Sequence, residues 1–435
     1  MSDGQTPPAE VAPDASRLDV LVAGTYELDD AYPNVIGRIG ALKRDERYRV
    51  VESRVSGSTR LDYSSRQSRL RSGLVVGARL IFGALGLIRS IVRHRGRTVL
   101  YVPYPCVPTL WLLGLLPRFL RPDRVVADAF ISLYDTVVQD RRLLRPNSIV
   151  ACLLRSTEGR AYRAADQIVV DTERNAAHYA ALFDLSPEKL KPIPLATSYR
   201  NLDSAAYAPR EDDRMRLLFV GTMVPLHGVD VLCEAVARLP ERLPIDVHLY
   251  GDGQCSPRVR RLVEEIEARS GGSGGVRVVW EPRWLHGADL GRAVGEADLC
   301  VGVLGTTAKS ARVWPFKNYL YMACGRALVT ASTPAAVDVE LLVGPGAFLH
   351  VAPGDAGELA TLVERVARNK ASLVPVAAAA RQAFLDHLSG KTLDDALFEV
   401  MSCHPCRRSA SVNRSPVFGA TAVEQQAVTS GREPG

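Results

Sequence analysis

LLFVGTMVPLHGVDVLCEAVARL, residues 217–239, is an apolar run that stops at Gly221, then a short loop carrying His227, then an amphipathic stretch that resumes at Val229. A strand buried on both faces of a parallel sheet reads as a continuous apolar run, whereas a helix repeats its apolar residues every three or four positions. The stretch is therefore a strand, a tight glycine turn and a helix. Such a turn leaves backbone N–H groups unpaired at the positive end of a helix dipole, which makes it a natural anion site.

The same rhythm extends in both directions. Towards the C-terminus, IDVHLYGDG (245–253), VRVVWEP (276–282), ADLCVGV (297–303), RALVTAS (326–332) and AFLHVAP (347–353) continue a series that begins at MRLLFVG (215–221). Towards the N-terminus, LDVLVAG (18–24), TVLYVPY (98–104), RVVADAFIS (124–132) and DQIVVDT (166–172) form an earlier series. Strands alternating with helix-forming segments argue for βαβ units and parallel sheets. The expectation is an α/β chain with two Rossmann-like domains in tandem, at 17–205 and 214–390, joined by the polar linker 199–213. A helix at 391–402 is expected to pack back on the first domain. Residues 1–16 read as a disordered leader and 403–435 as a disordered tail.

Composition narrows the function classes. The first twenty residues lack both the basic start and the apolar core of a signal peptide, so a cytoplasmic protein is expected. Eight cysteines scattered through apolar runs favour reduced thiols over a disulfide framework. Cys403-His404-Pro405-Cys406 resembles a ligand knuckle, but no second pair follows it, so no metal site is expected. Residues 38–97 hold fifteen Lys/Arg against four acids, a net +11, which leaves −5 for the rest of the chain. Segregated charge of this kind points to an anionic partner. On a helix over about 70–97, Arg71, Arg79, Arg89, Arg93 and Arg97 share one arc of about 80° and lie roughly opposite Leu80, Leu87, Ile88 and Ile91. That pattern fits a basic amphipathic helix on an anionic membrane surface, or a core helix with a solvated edge. Few aromatic residues accompany these cations, which argues against nucleic acid as the partner.

Three strand–glycine turns are candidate anion sites: LVAGTYELDD at Gly24, FVGTMVPLHG at Gly221 and Gly228, and LYGDGQ at Gly251 and Gly253. Neither GxGxxG nor the phosphate loop GxxxxGK occurs at them, which argues against a dinucleotide enzyme or a P-loop NTPase. The most specific constellation is AKSARVWPFKNYLYMACGRALVTASTPA, 308–335, where Lys309, Arg312 and Lys317 crowd the approach to a helix. Three cations at the carboxyl edge of a parallel sheet suit a diphosphate.

At these residues the chain resembles family 4 glycosyltransferases, retaining enzymes of the two-Rossmann (GT-B) architecture. FVGTMVPLHGVDVLCEA, LYGDGQ, the spacing Pro315, Lys317, Tyr321, Met322, Ala323, Gly325, and VAPGDAGELA carry the likeness, which is specific over 215–360. The resemblance implies two parallel sheets facing across a cleft and a nucleotide diphosphate sugar as donor substrate. It implies no metal or other cofactor, because cationic side chains and helix dipoles neutralise the diphosphate. The motif usually carries an arginine where Thr222 stands and a lysine where His227 stands. A ribose-binding glutamate is usual at the position of Leu320, and another acid at that of Arg312.

The donor-binding set implied is Gly24, Gly221, Thr222, His227, Gly251, Lys309, Arg312 and Lys317, with Lys317 also stabilising the leaving group. The first domain of such enzymes receives the acceptor, and Asp128 and Asp135 in VVADAFISLYDTVVQD are the candidates to position or deprotonate its hydroxyl. The expected function is sugar transfer, with retention, to a saccharide or lipid-linked acceptor at the cytoplasmic membrane face. A non-catalytic subunit that binds a partner enzyme and a sugar-nucleotide epimerase of the same architecture are the alternatives.

Overall fold

The computed structural model describes residues 17–26, 28, 32–55, 83–195, 206–210, 212, 214–270 and 275–402. The leader, most of the linker and the tail with its Cys403–Cys406 tetrad lie outside them. The first half runs β1 (Leu18–Gly24), α1 (Pro33–Arg44), β2 (Tyr48–Arg54), α2 (83–93), β3 (Gly96–Val102) and α3 (Val107–Leu115). It continues through β4 (Pro122–Asp128), α4 (Ile149–Arg163), β5 (Gln167–Val170), α5 (Glu173–Phe183) and β6 (Leu190–Pro192). The second half runs β7 (Met215–Val220), α6 (Val229–Arg238), β8 (Ile245–Tyr250), α7 (Ser256–Ser270), β9 (Arg277–Glu281) and α8 (Gly287–Glu296). After these come β10 (Leu299–Val301), α9 (Phe316–Ala323), β11 (Ala327–Ala331), α10 (Pro334–Val343), β12 (Leu349–Val351), α11 (Ala356–Arg368), α12 (Leu373–His387) and α13 (Lys391–Ser402).

Each half builds one six-stranded sheet, and every described pairing is parallel. The orders are β2-β1-β3-β4-β5-β6 and β12-β11-β10-β7-β8-β9. Helices cover both faces of a parallel sheet, so its central strands bury nearly every side chain: Val20, Leu21, Val22 and Ala23 of β1 are inaccessible, as are Leu217, Leu218 and Phe219 of β7. The strand order reverses direction between β1 and β3 in one sheet and between β7 and β10 in the other. Ligands of such folds bind at the carboxyl ends of the strands beside those reversals.

Two strands that the sequence pattern does not announce, β2 and β6, are the edges of the first sheet. YRVVESR carries exposed charge on β2, and the short LKP of β6 ends in a proline, which only an edge tolerates. The helical pattern over 70–97 also changes. Residues 70–82 lie outside the described set, α2 ends at residue 93, and Gly96, at φ +90, opens β3. The described part of α2 buries Leu87 and Ile91 against the first sheet, half-buries Ile88 and leaves Arg89 and Arg93 exposed, as a core helix with a solvated edge does.

The last two helices serve different halves. α12 packs on α9 and β11, whereas α13 returns to the first sheet. There Arg124 of β4 donates to the Val400 carbonyl (2.5 Å), Arg47 pairs with Asp395 (2.8 Å), and the Tyr48 and Phe398 rings meet at 5.5 Å. Among the described residues no helix is long and apolar enough to cross a membrane.

Candidate active site

The turn after β7 is held open by its neighbours. The Gly221 (φ +143) N–H donates to the Tyr250 carbonyl, and the Met223 N–H donates to the Asp252 carbonyl. A Cβ on Gly251 would stand 2.0 Å from the Gly221 carbonyl oxygen, so glycine there is a requirement of close backbone approach. Gly228 meets the backbone of Gly305 in the same way, with its Cβ position 2.5 Å from the Gly305 nitrogen. The LYGDGQ turn thus buttresses the FVG turn, and Gly251 does not itself line the cleft.

In front of Gly221 two side chains converge. A Cβ at that position would lie 3.5 Å from His227 Cε1 and 3.6 Å from Lys317 Nζ, so both groups flank one small space above the glycine. The His227 Nδ1 lies 2.5 Å from the Thr222 carbonyl oxygen. A carbonyl only accepts, so Nδ1 carries the proton, and Nε2 of the neutral ring keeps its lone pair. Enclosure in the wall of the cleft, and then the Lys317 ammonium, push the His227 pKa well below the usual imidazole range.

Lys317 sits in the first turn of α9 and is 6% exposed. Its Nζ has no hydrogen-bond partner among the described residues and rests 3.8 Å above the centroid of the Phe219 ring. Burial pushes its pKa well below the usual ammonium range. A buried, unpaired cation is costly, and an incoming anion removes that cost.

These groups face a cleft of about 690 Å³ between the two halves. Its second-domain wall includes Gly221, Thr222, His227, Lys317 and Leu320, with Tyr250, Trp284 and Leu285 as an apolar shelf. Its first-domain wall includes Thr136, Asp140, Arg141 and Asp171. Asp171, the residue after β5, is buried and accepts from Asn175 Nδ2 at 2.7 Å. Burial pushes its carboxyl up to about 6, with Asn175 opposing. Arg141 ends a π-helical turn, Asp135–Asp140, where its N–H donates to Thr136 O. Its Nε is buried without a hydrogen-bond partner among the described residues, while its carbonyl accepts from Gln254 Nε2 across the cleft.

The other candidates are placed elsewhere. Asp128 ends β4 fully buried, paired with Arg38 at 2.5 Å and accepting from the Tyr101 hydroxyl at 3.2 Å. Asp135 is also fully buried, and it gathers Lys309 (3.0 Å), Arg312 (2.7 Å) and His178 (3.5 Å). Burial alone would raise the Asp135 pKa; His178, Lys309 and Arg312 outweigh it and hold the carboxyl well below the usual range. Neither carboxylate reaches the cleft, so the acceptor-side role read for them gives way to an internal ion pair and an interdomain one.

Lys309 borders the cleft, but its ammonium is committed to Asp135 and the Thr136 hydroxyl (2.9 Å). Arg312 is held by Asp135 and Asn175, and its carbonyl accepts from the Thr172 hydroxyl. Gly24 (φ +155) closes β1 in a backbone conformation that favours glycine, and a Cβ there would crowd Thr109 Oγ1 at 3.1 Å. Among the described residues no cluster of His, Cys, Asp and Glu is arranged to hold a metal ion.

Asp171 was within reach of the sequence, because the argument that singles out an acid after a strand applies to DQIVVDT as well. Arg141 had no such signal. It follows a π-helical turn that no residue pattern announces and lines the cleft from there.

Two Rossmann-like sheets facing each other across a cleft at their carboxyl edges define the GT-B architecture. Residues 214–369 match the family described as glycosyl transferases group 1. No curated protein matches the chain. Among solved structures, Anabaena Alr3699/HepE in complex with UDP-glucose is similar at TM-score 0.58 and 16% identity, over 89% of this chain and 100% of that one. The Candida albicans trehalose-6-phosphate phosphatase N-terminal domain is similar at 0.61 and 11%, over 92% and 98%. An Escherichia coli structure described as trehalose-6-phosphate bound with UDP-2-fluoro glucose gives 0.59 and 12%, over 88% and 98%. At these identities the likeness is one of fold.

Proposed function

We propose that the protein transfers a sugar, with retention, from a nucleotide diphosphate sugar to a hydroxyl of a saccharide or lipid-linked acceptor at the inner membrane face. The observation that carries this reading is Lys317: a cation 6% exposed, unpaired, and aimed with His227 at the space in front of Gly221. The diphosphate occupies that space, with its nucleoside on the shelf of Tyr250, Trp284 and Leu285. As the glycosidic bond breaks, negative charge develops on the departing diphosphate. Fixed cations and N–H groups stabilise that charge more than they stabilise the bound donor, which lowers the barrier. Arg141 supplies the guanidinium that the motif usually carries at the position of Thr222. Asp171 holds the acceptor hydroxyl and takes its proton.

The group 1 match over 214–369 and the UDP-glucose complex of a fold neighbour support a nucleotide sugar as donor. The test is thermal stabilisation by nucleoside diphosphates, together with slow hydrolysis of nucleotide sugars. Binding of none of them would sink the reading. A second reading, a subunit that binds without turnover, is favoured by one feature: Leu320 lines the cleft where a ribose-binding acid is usual. Nucleotide binding with no hydrolysis and no transfer would select it.

A further inference from the structure

The stretch RRLLRPNSIVACLLRST, 141–157, carries four arginines and no acid. It forms the loop after the π-helical turn and the first two turns of α4, which Ser148 caps through the Ala151 N–H. Leu144 and Leu154 pack inwards on Tyr134, Val138 and Ala151, but four large apolar residues do not. Leu143 is 60% exposed, Ile149 86%, Val150 59% and Leu153 66%. On α4, residues 149, 150 and 153 fall within one arc of about 100°, opposite the face that buries Glu158 and Tyr162.

The stretch is continuous with the mouth of the cleft. Ala151 packs with Tyr134 and Val138, Leu143 N–H donates to Val137 O, and Leu133, itself 53% exposed, lines the cleft beside Arg141. Arg142 and Arg145 project from the same loop, exposed and with no acidic partner among the described residues.

We infer that this surface docks on an anionic lipid bilayer, with Leu143, Ile149, Val150 and Leu153 in the interface and Arg142 and Arg145 against the headgroups. Apolar side chains standing proud of a convex surface enter an acyl boundary, and unpaired guanidinium groups beside them match anionic headgroups. A seat of this kind sets the cleft mouth at the bilayer, where an acceptor with a lipid tail presents its hydroxyl. The inference rests on the membrane-side acceptor proposed above. It assigns the contact to a first-domain surface other than the basic stretch 70–97.

The test is flotation of the full chain with vesicles of phosphatidylcholine, alone or with about 30% phosphatidylglycerol as an anionic surface. Wild type is expected to float with the anionic vesicles, and more weakly as salt rises. The doubly changed proteins Ile149→Ser/Leu153→Ser and Arg142→Glu/Arg145→Glu should each bind roughly tenfold or more weakly. A fluorophore on Cys152, which is exposed one turn on from Ile149, should shift to the blue when anionic vesicles are added; for this, Cys255, Cys403 and Cys406 are changed to Ser.

Wild type that does not float, or double variants that float undiminished, would overturn the inference. So would a wild-type dimer that the Ile149→Ser/Leu153→Ser protein loses without vesicles, since the surface would then be a protein interface. Nucleoside diphosphate binding is measured on the same preparations. Its retention alongside lost flotation supports the docking surface, and its absence from wild type strikes the functional reading instead.

Discussion

The Lys317 ammonium stands 3.8 Å above the Phe219 ring and touches no hydrogen-bond acceptor among the described residues, while Lys309 and Arg312, eight and five residues earlier, are both held by Asp135. One cation of the three is therefore free for a ligand. Lys317→Ala should weaken nucleoside diphosphate binding by about 1.5–3 kcal/mol, the range of a hydrogen bond to a charged group. Arg312→Ala should change the affinity by less than about 0.5 kcal/mol, because its charge is spent inside the protein. His227→Ala should fall between them. Calorimetric titration orders the three, and a larger loss at Arg312 than at Lys317 would refute the assignment.

The depressed pKa of Lys317 has a proton-linked consequence. Its pKa lies well below the usual ammonium range in the empty cleft, and a diphosphate beside it favours the charged form. Binding therefore takes up protons between the free and bound pKa values, and affinity falls as pH rises through that window. His227, whose pKa is also depressed, contributes in the same direction at lower pH. Titrations in buffers of different ionisation enthalpy measure the uptake, and Lys317→Arg should abolish its alkaline part. Proton release on binding would contradict this account.

Asp171 should show a trade of stability for function. Its pKa is raised to about 6 in the folded chain, so its contribution to stability is fully present below the unfolded value near 4 and is lost as pH rises through about 6. At neutral pH the buried carboxylate then costs about 3 kcal/mol. Asp171→Asn keeps a partner for Asn175 and removes that cost. It should stabilise the protein at pH 7 by an amount up to that size, flatten the pH dependence of urea unfolding between 4 and 6, and abolish transfer while sparing nucleotide binding. An Asp171→Asn protein with wild-type transfer would remove Asp171 from the reaction.

Asp135 is the opposite case. Its carboxylate is the shared partner of two cations from the other half, so Asp135→Ala leaves Lys309 and Arg312 buried without their ion-pair partner. The expected loss is about 3–5 kcal/mol in urea unfolding. A loss below about 1 kcal/mol would mean that water already screens the cluster.

Much of this organisation is legible in residue patterns, and the exceptions share a cause. Strands buried on both faces are recognisable from composition alone, and the strands read from LDVLVAG, MRLLFVG and ALVTAS are all central in their sheets. β2 and β6 escape because these two half-solvated edges carry the charge and proline of a loop, whereas β9 and β12, the edges of the second sheet, keep readable apolar runs.

At the site, cations are easy to find and hard to assign. Lys309, Arg312 and Lys317 look alike in sequence, and only the tertiary position of Asp135 separates the two that are paired from the one that is not. In the same way, an acid after a strand reads identically at Asp128 and at Asp171. Arg38 consumes the first, whereas the second opens on the cleft.

The return of α13 to the first sheet changes the kind of motion open to the molecule. Two bodies tied by one strand of chain can swivel about any axis. Here the chain crosses between the halves twice, once through the linker and again between α12 and α13, and the second crossing is fastened by Arg124 to the Val400 carbonyl and by Arg47 to Asp395. A double tether leaves a single easy rotation, about the line joining the two crossings, and resists torsion. With the Asp135–Lys309 and Asp135–Arg312 pairs also bridging the halves, the two crossings hold Arg141 in one register relative to His227 and Lys317.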